Sequence, residues 1–168
     1  ASTLSYRGAR DALFCACRAR RPVECEAFVR SLAEARPPGC VKGGEKGGAG
    51  WEVTEHLVSF ALDAYAREGD MAKASELSRD AADCGVPTTA LSYCILIKGF
   101  GRAGEKASAP AKRKRYATKV AETLRAVPPG AADRILLNAA VDAFARCEDS
   151  ARATAVLNAM ERDFGIAP

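Results

Sequence analysis

One phrase recurs along this chain, and its spacing limits the possible folds more than any other feature. Residues 56–69 read HLVSFALDAYAREG, residues 91–104 read LSYCILIKGFGRAG, and residues 135–148 read ILLNAAVDAFARCE. Each copy is an apolar block followed by an aromatic residue, an arginine and a stop. Gly69 and Gly104 lie 35 residues apart, and Glu148, which ends the third copy, follows 44 residues after Gly104. A weaker copy, GARDALFCACRAR at residues 8–20, ends 49 residues before Gly69. The surplus length falls in two places. EKASAPAKRKR, residues 105–115, reads as an enlarged turn, and PPGCVKGGEKGGAG, residues 37–50, reads as a flexible Gly-rich linker.

Apolar residues recur at three- and four-residue spacing almost throughout, which is the periodicity of amphipathic helices. Val58, Ala61, Leu62 and Tyr65 fall on one face of a helix over 55–67. Gly69-Asp70 stops that helix, residues 71–84 form a second, and GVPTT at 85–89 closes the pair, because proline breaks a helical run and restricts the residue before it. No segment alternates with period two, so almost no strand is expected. Two helices per period of about 35 residues predict a stack in which no pair buries its own apolar face and each leans on its neighbours. The expected fold is therefore all-α, a right-handed α-solenoid superhelix of about four helix-turn-helix repeats. The expected divisions are a degenerate first repeat at 1–40, a linker at 41–54, and repeats at 55–89, 90–133 (with the basic insertion) and 134–168.

Composition closes off several function classes. Of 168 residues 48 % are hydrophobic, enough for a core, and no apolar run approaches the ~18 residues of a membrane span. The formal charge of +4 is a mild basic bias, compatible with nucleic acid or an acidic partner. Seven cysteines without a CxxC pair, beside the single histidine His56, do not make a zinc site, and buried free thiols in a reducing compartment are expected. No phosphate-binding glycine loop, His-based triad or zinc-deaminase pattern is present, so the chain reads as a non-enzyme without a cofactor. It starts at Ala1 rather than Met and is expected to be processed or part of something longer.

The phrases resemble the pentatricopeptide repeat family. LSYCILIKGFGRAG is similar to that family's first helix, and SARATAVLNAMERDFGIAP at 150–168 to its second helix and closing turn; DMAKASELSRDAADCGVP at 70–87 is a looser second-helix match. The Trp-Leu-Gly-Tyr pattern of tetratricopeptide repeats is absent. The resemblance is strong over 55–104 and 134–168 and weak over 1–50, and Glu148 stands where the family usually has glycine.

What the resemblance implies is a groove of first helices that binds single-stranded RNA, one base per repeat, read by two side chains. Carried onto this chain, the early positions are Arg10, Ser59, Cys94 and Asn138, and the partners are Thr54, Thr89 and Asp133. Asn138 and Asp133 offer short hydrogen-bonding groups suited to a base edge. The family's base-clamping positions fall at Arg7, His56, Leu91 and Ile135. Arg18, Arg67, Arg102 and Arg146 occupy one place in all four repeats and form a candidate phosphate-contacting ladder, though a cation at a helix C-terminus is also stabilised locally by about 0.3–1 kcal/mol. Lys112, Arg113, Lys114, Arg115 and Lys119 surround Tyr116 in the most basic segment, a candidate second contact to structured RNA.

The expectation is thus an RNA-associated protein of a mitochondrion or chloroplast, the compartment being implied by the resemblance alone. Its partners would be RNA and neighbouring proteins of a large ribonucleoprotein, such as an organellar ribosome. The alternatives are a sequence-selective factor for processing or stabilising single-stranded RNA, and a protein-binding scaffold that never meets RNA.

Overall fold

The computed structural model describes residues 6–34 and 55–164. The Gly-rich stretch expected as a linker, together with Cys40 and Thr54, lies outside the described residues, and so does the side chain of Arg7. Among the described residues there are eight helices and no strand: α1 (Tyr6–Arg18), α2 (Pro22–Glu34), α3 (Glu55–Glu68), α4 (Met71–Asp83), α5 (Ala90–Glu105), α6 (Pro110–Arg125), α7 (Arg134–Arg146) and α8 (Ser150–Phe164).

The stops act through backbone geometry. Gly69 takes a left-handed conformation (φ +89°), and the amides of Gly69 and Asp70 both donate to the Tyr65 carbonyl at 3.0 and 3.1 Å. Asp70 then caps α4 by accepting the Lys73 amide at 3.0 Å. The same turn follows α7 without a glycine. Glu148 is left-handed (φ +57°), Asp149 N–H donates to the Phe144 carbonyl at 2.9 Å, and the Asp149 carboxylate accepts the Arg152 amide at 3.1 Å. A side chain in that conformation costs about 1–2 kcal/mol, which the chain tolerates here with Glu148 ion-paired to Arg113. Gly104, which ends the second copy, lies within its helix: α5 runs one residue further, to Glu105. The enlarged turn expected at 105–115 is corrected accordingly. Only a short turn separates α5 from α6, and the basic run lies inside α6, whose first residue, Pro110, suits a helix start.

First helices pack side by side in chain order, α1 on α3, α3 on α5 and α5 on α7. Each of α2, α4 and α6 packs on its own first helix and on the next one, and α8 packs on α7. The core runs through this layer as Leu13, Leu57, Leu62, Ile97, Leu136 and Phe144, all but fully buried. The closest approach is between α5 and α7. A Cβ on Gly101 would sit 2.7 Å from the Ala143 Cα, and one on Gly104 would collide with the Cys147 sulfur. Of the described cysteines, Cys17, Cys25, Cys94 and Cys147 are buried free thiols, whereas Cys15 and Cys84 are exposed, against expectation.

Polar groups join the first pair to the rest. The Tyr65 hydroxyl donates to the Glu26 carboxylate, Arg30 bridges Glu26 at 2.8 Å and Asp80 at 3.0 Å, and the Cys17 thiol donates to Asp63 at 3.5 Å. Burial and then the Asp63 charge push the Cys17 thiol up to about 11, so it stays protonated as a donor. Burial alone would raise the Glu26 carboxyl, but the hydrogen bonds from Tyr65 and Arg30, with the charges of Arg30 and Lys73, outweigh it and hold it below the usual range.

Two outcomes follow from this packing. Gly101→Ala gains about 1 kcal/mol of helix propensity but must push the Ala143 backbone away, at about 1–3 kcal/mol of overpacking. Urea denaturation should show net destabilisation, larger than for Gly99→Ala, whose added methyl meets the flexible end of Met71. Tyr65→Phe removes a hydrogen bond to a charged group and should cost about 1.5–3 kcal/mol at neutral pH. Because the folded Glu26 pKa is lowered, its contribution is complete above the unfolded value of 4.5 and drains away as pH falls below it. The stability gap between parent and Tyr65→Phe should therefore narrow between neutral pH and pH 3.

Candidate nucleic-acid interface

Three tiers run across the solvent-facing side of the first helices, because α3, α5 and α7 carry them in one register. The first is His56, Leu91 and Ile135; the second is Asp63, Lys98 and Asp142; the third is Arg67, Arg102 and Arg146. Leu91 is 45 % exposed and Ile135 66 %, so the two aliphatic clamp candidates do stand on the surface. Full burial of such a side chain is worth about 1.5–3 kcal/mol, a gain this chain forgoes. His56 is exposed beside Phe60, ring centroids 5.1 Å apart.

The arginine ladder is not a uniform row of free charge. Arg67 donates to Asp63 at 2.6 Å, and Arg146 to Asp142 at 2.8 Å and to Glu105 at 2.6 Å. These hydrogen bonds, and the carboxylate charges behind them, push both guanidinium pKa values up. Arg18 lies over the Phe14 ring, 5.6 Å from its centre. Exposed ion pairs are worth only about 0–1 kcal/mol, so a phosphate can displace them, but a neutral pair adds nothing to long-range attraction. On α5 the pattern breaks: Lys98 replaces the aspartate, four residues before Arg102, and among the described residues neither cation has an ion-pair partner. Of α3, α5 and α7, only α5 thus carries ladder cations without an ion-pair partner among the described residues.

The base-edge candidates are placed very differently from one another. Ser59 is 4 % exposed and spends its hydroxyl on the His56 carbonyl at 2.7 Å. Cys94 is 8 % exposed. Both are buried, and neither presents a group to a ligand. Thr89 is exposed, but its hydroxyl donates to Glu55 at 2.6 Å, and Ser92 donates to the same carboxylate at 2.7 Å. Asp133 caps α7 by accepting the Leu136 amide at 2.7 Å. Arg10 pairs with Asp11 at 2.9 Å. Asn138 alone among the favoured residue types is exposed with no hydrogen bond among the described residues.

In the basic segment, Lys112, Lys114 and Arg115 are exposed on α6, whereas Arg113 turns inward to the Ala107 carbonyl (3.1 Å) and Glu148. Tyr116 is partly buried and packs against Phe100, centroids 6.5 Å apart. Sequence reading missed Asp63 and Asp142 as counter-charges, although their i,i+4 spacing to Arg67 and Arg146 is a visible signal. The Glu105–Arg146 pair spans 41 residues and had none. Among the described residues no cluster could hold a metal ion, and no helix is long and apolar enough to cross a membrane.

Burial leaves Asn138, but not Ser59 or Cys94, able to meet a base, if any base is read at all. In competition binding across homopolymeric RNA strands, such readout predicts an unchanged ranking for Ser59→Ala and Cys94→Ser and a changed one for Asn138→Ala. No protein-family model matches this chain, and no curated protein matches it.

Proposed function

We propose that this chain is an RNA-associated helical-repeat protein of the pentatricopeptide type, a right-handed α-solenoid working by binding rather than catalysis. Its place is as a structural subunit of a large ribonucleoprotein, such as the ribosome of a mitochondrion or chloroplast, touching RNA and neighbouring proteins. The observation that carries this reading is the common register of three first helices, which sets exposed Leu91 and Ile135 beside the unpaired Lys98 and Arg102. In the family these phrases resemble, an aliphatic side chain at this place clamps bases and a cation at the end of the same helix can meet phosphate. A structural role is favoured over sequence reading because Ser59 and Cys94 are buried and Thr89 and Asp133 are hydrogen-bonded within the protein.

The test is sedimentation of the tagged protein from organelle lysate. Co-migration with a large particle that survives a high-salt wash and collapses on ribonuclease treatment is expected. Migration as a small species that binds single strands would favour a processing factor, and particle association indifferent to ribonuclease would favour a protein scaffold.

A further inference from the structure

The positive charge of this protein is concentrated in one short segment. Residues 106–121 contain Lys106, Lys112, Arg113, Lys114, Arg115 and Lys119 and no aspartate or glutamate. These six charges exceed the formal net charge of +4 for the whole chain, so everything outside the segment is net acidic. A polyanion approaching from a distance is steered to this segment and not to the first-helix row.

Local geometry makes the cluster costly for the protein on its own. The buried stripe of α6 is Ala117, Val120 and Ala121, and Lys112, Arg115 and Lys119 recur at three- and four-residue spacing on the side away from it. Lys112 to Lys119 spans about 10 Å along the helix. Like charges at this spacing repel, and cations in a first helical turn oppose the macrodipole. Elsewhere several cations are answered by carboxylates, as at Arg30, Arg67, Arg146 and Arg152. Here the nearby Glu105 is taken by Arg146 and Glu148 by Arg113, and Glu122 answers Lys119 alone. Lys106, Lys112, Lys114 and Arg115 are exposed and without an ion-pair partner among the described residues.

The exposed cations of this surface are not interleaved with exposed aromatic faces: Tyr116, the aromatic of the segment, is partly buried and packs against Phe100. Single strands are gripped by aromatic faces together with charge, whereas an RNA double helix is held through its backbone and shape. We propose that the outer face of α6, with the turn before it, docks on the phosphate backbone of an RNA double helix, separately from the first-helix row. This rests on the RNA-associated reading above for the choice of RNA, and on charge and geometry for the choice of surface.

The test uses fluorescence anisotropy with an RNA hairpin of about 16 base pairs and an unstructured oligouridine strand. The parent is compared with a Lys106→Gln/Lys112→Gln/Lys114→Gln/Arg115→Gln variant and with a Lys98→Gln/Arg102→Gln variant, circular dichroism reporting helicity. The α6 variant should lose hairpin affinity by at least about tenfold at low salt, with the log–log salt slope flattened by about 0.9 for each phosphate no longer neutralised. The α5 variant should keep hairpin binding and lose affinity for the strand. A Lys112→Arg/Lys114→Arg/Arg115→Lys variant retains charge and should bind the hairpin like the parent; failure to bind there would overturn a sequence-blind contact whatever the Gln variant does. If the hairpin follows the α5 variant and ignores the α6 variant, the surface assignment fails and the RNA-associated reading stands. If the parent binds neither RNA but binds polyglutamate or anionic vesicles through α6, both fail.

Discussion

The close approach of α5 to α7 governs the geometry of the whole exposed face. Gly101 leaves room for Ala143 of the next first helix, and Gly104 leaves room for Cys147. With no side chain between them the two backbones come near enough for the tiers on α5 and α7 to be neighbours, and Arg146 of α7 reaches Glu105 of α5 at 2.6 Å. A bulkier seam would separate the rows and break that pair.

Because each helix packs mainly on its neighbours in the order of the chain, stability is passed along locally. The junction between α2 and α3 shows what such a boundary requires. Its apolar contacts are supplemented by a charged network, with Glu26 at the centre of Tyr65 and Arg30, and Arg30 reaching on to Asp80 of α4. An ionised carboxylate held mostly out of solvent is stable only while its donors stay in place. That ties the docking of the first pair to its register against the second.

Charge is arranged on two levels. Along α3 and α7 the ladder arginine is answered by an aspartate one turn earlier, whereas on α5, between them, Lys98 and Arg102 have no ion-pair partner among the described residues. On α6 the positive charge is not answered in the same way, and the strongest local field lies on the second-helix side of the stack. The two surfaces proposed above to contact RNA thus occupy different helices.

The helices, their pairing and most of their stops were legible in the sequence, because periodicity and turn chemistry act over a few residues. Two of the three tiers were legible too, since a repeat places Leu91 and Ile135, or Arg67, Arg102 and Arg146, at one register whatever surrounds them. The helical state of residues 110–115 was obscured by a run of like charge that reads locally as a solvated turn; the packing of Ala117 and Val120 against the core overrides it. The accessibility of Ser59 and Cys94, the use of Thr89 by Glu55 and the pairing of Arg146 with Glu105 were decided only in three dimensions. Each depends on a neighbour about 35–40 residues away in the chain, and the distance between two helix faces is set by the side chains of both. Sequence by itself determined which residues share a face; tertiary structure decided which of them remain free to meet a ligand.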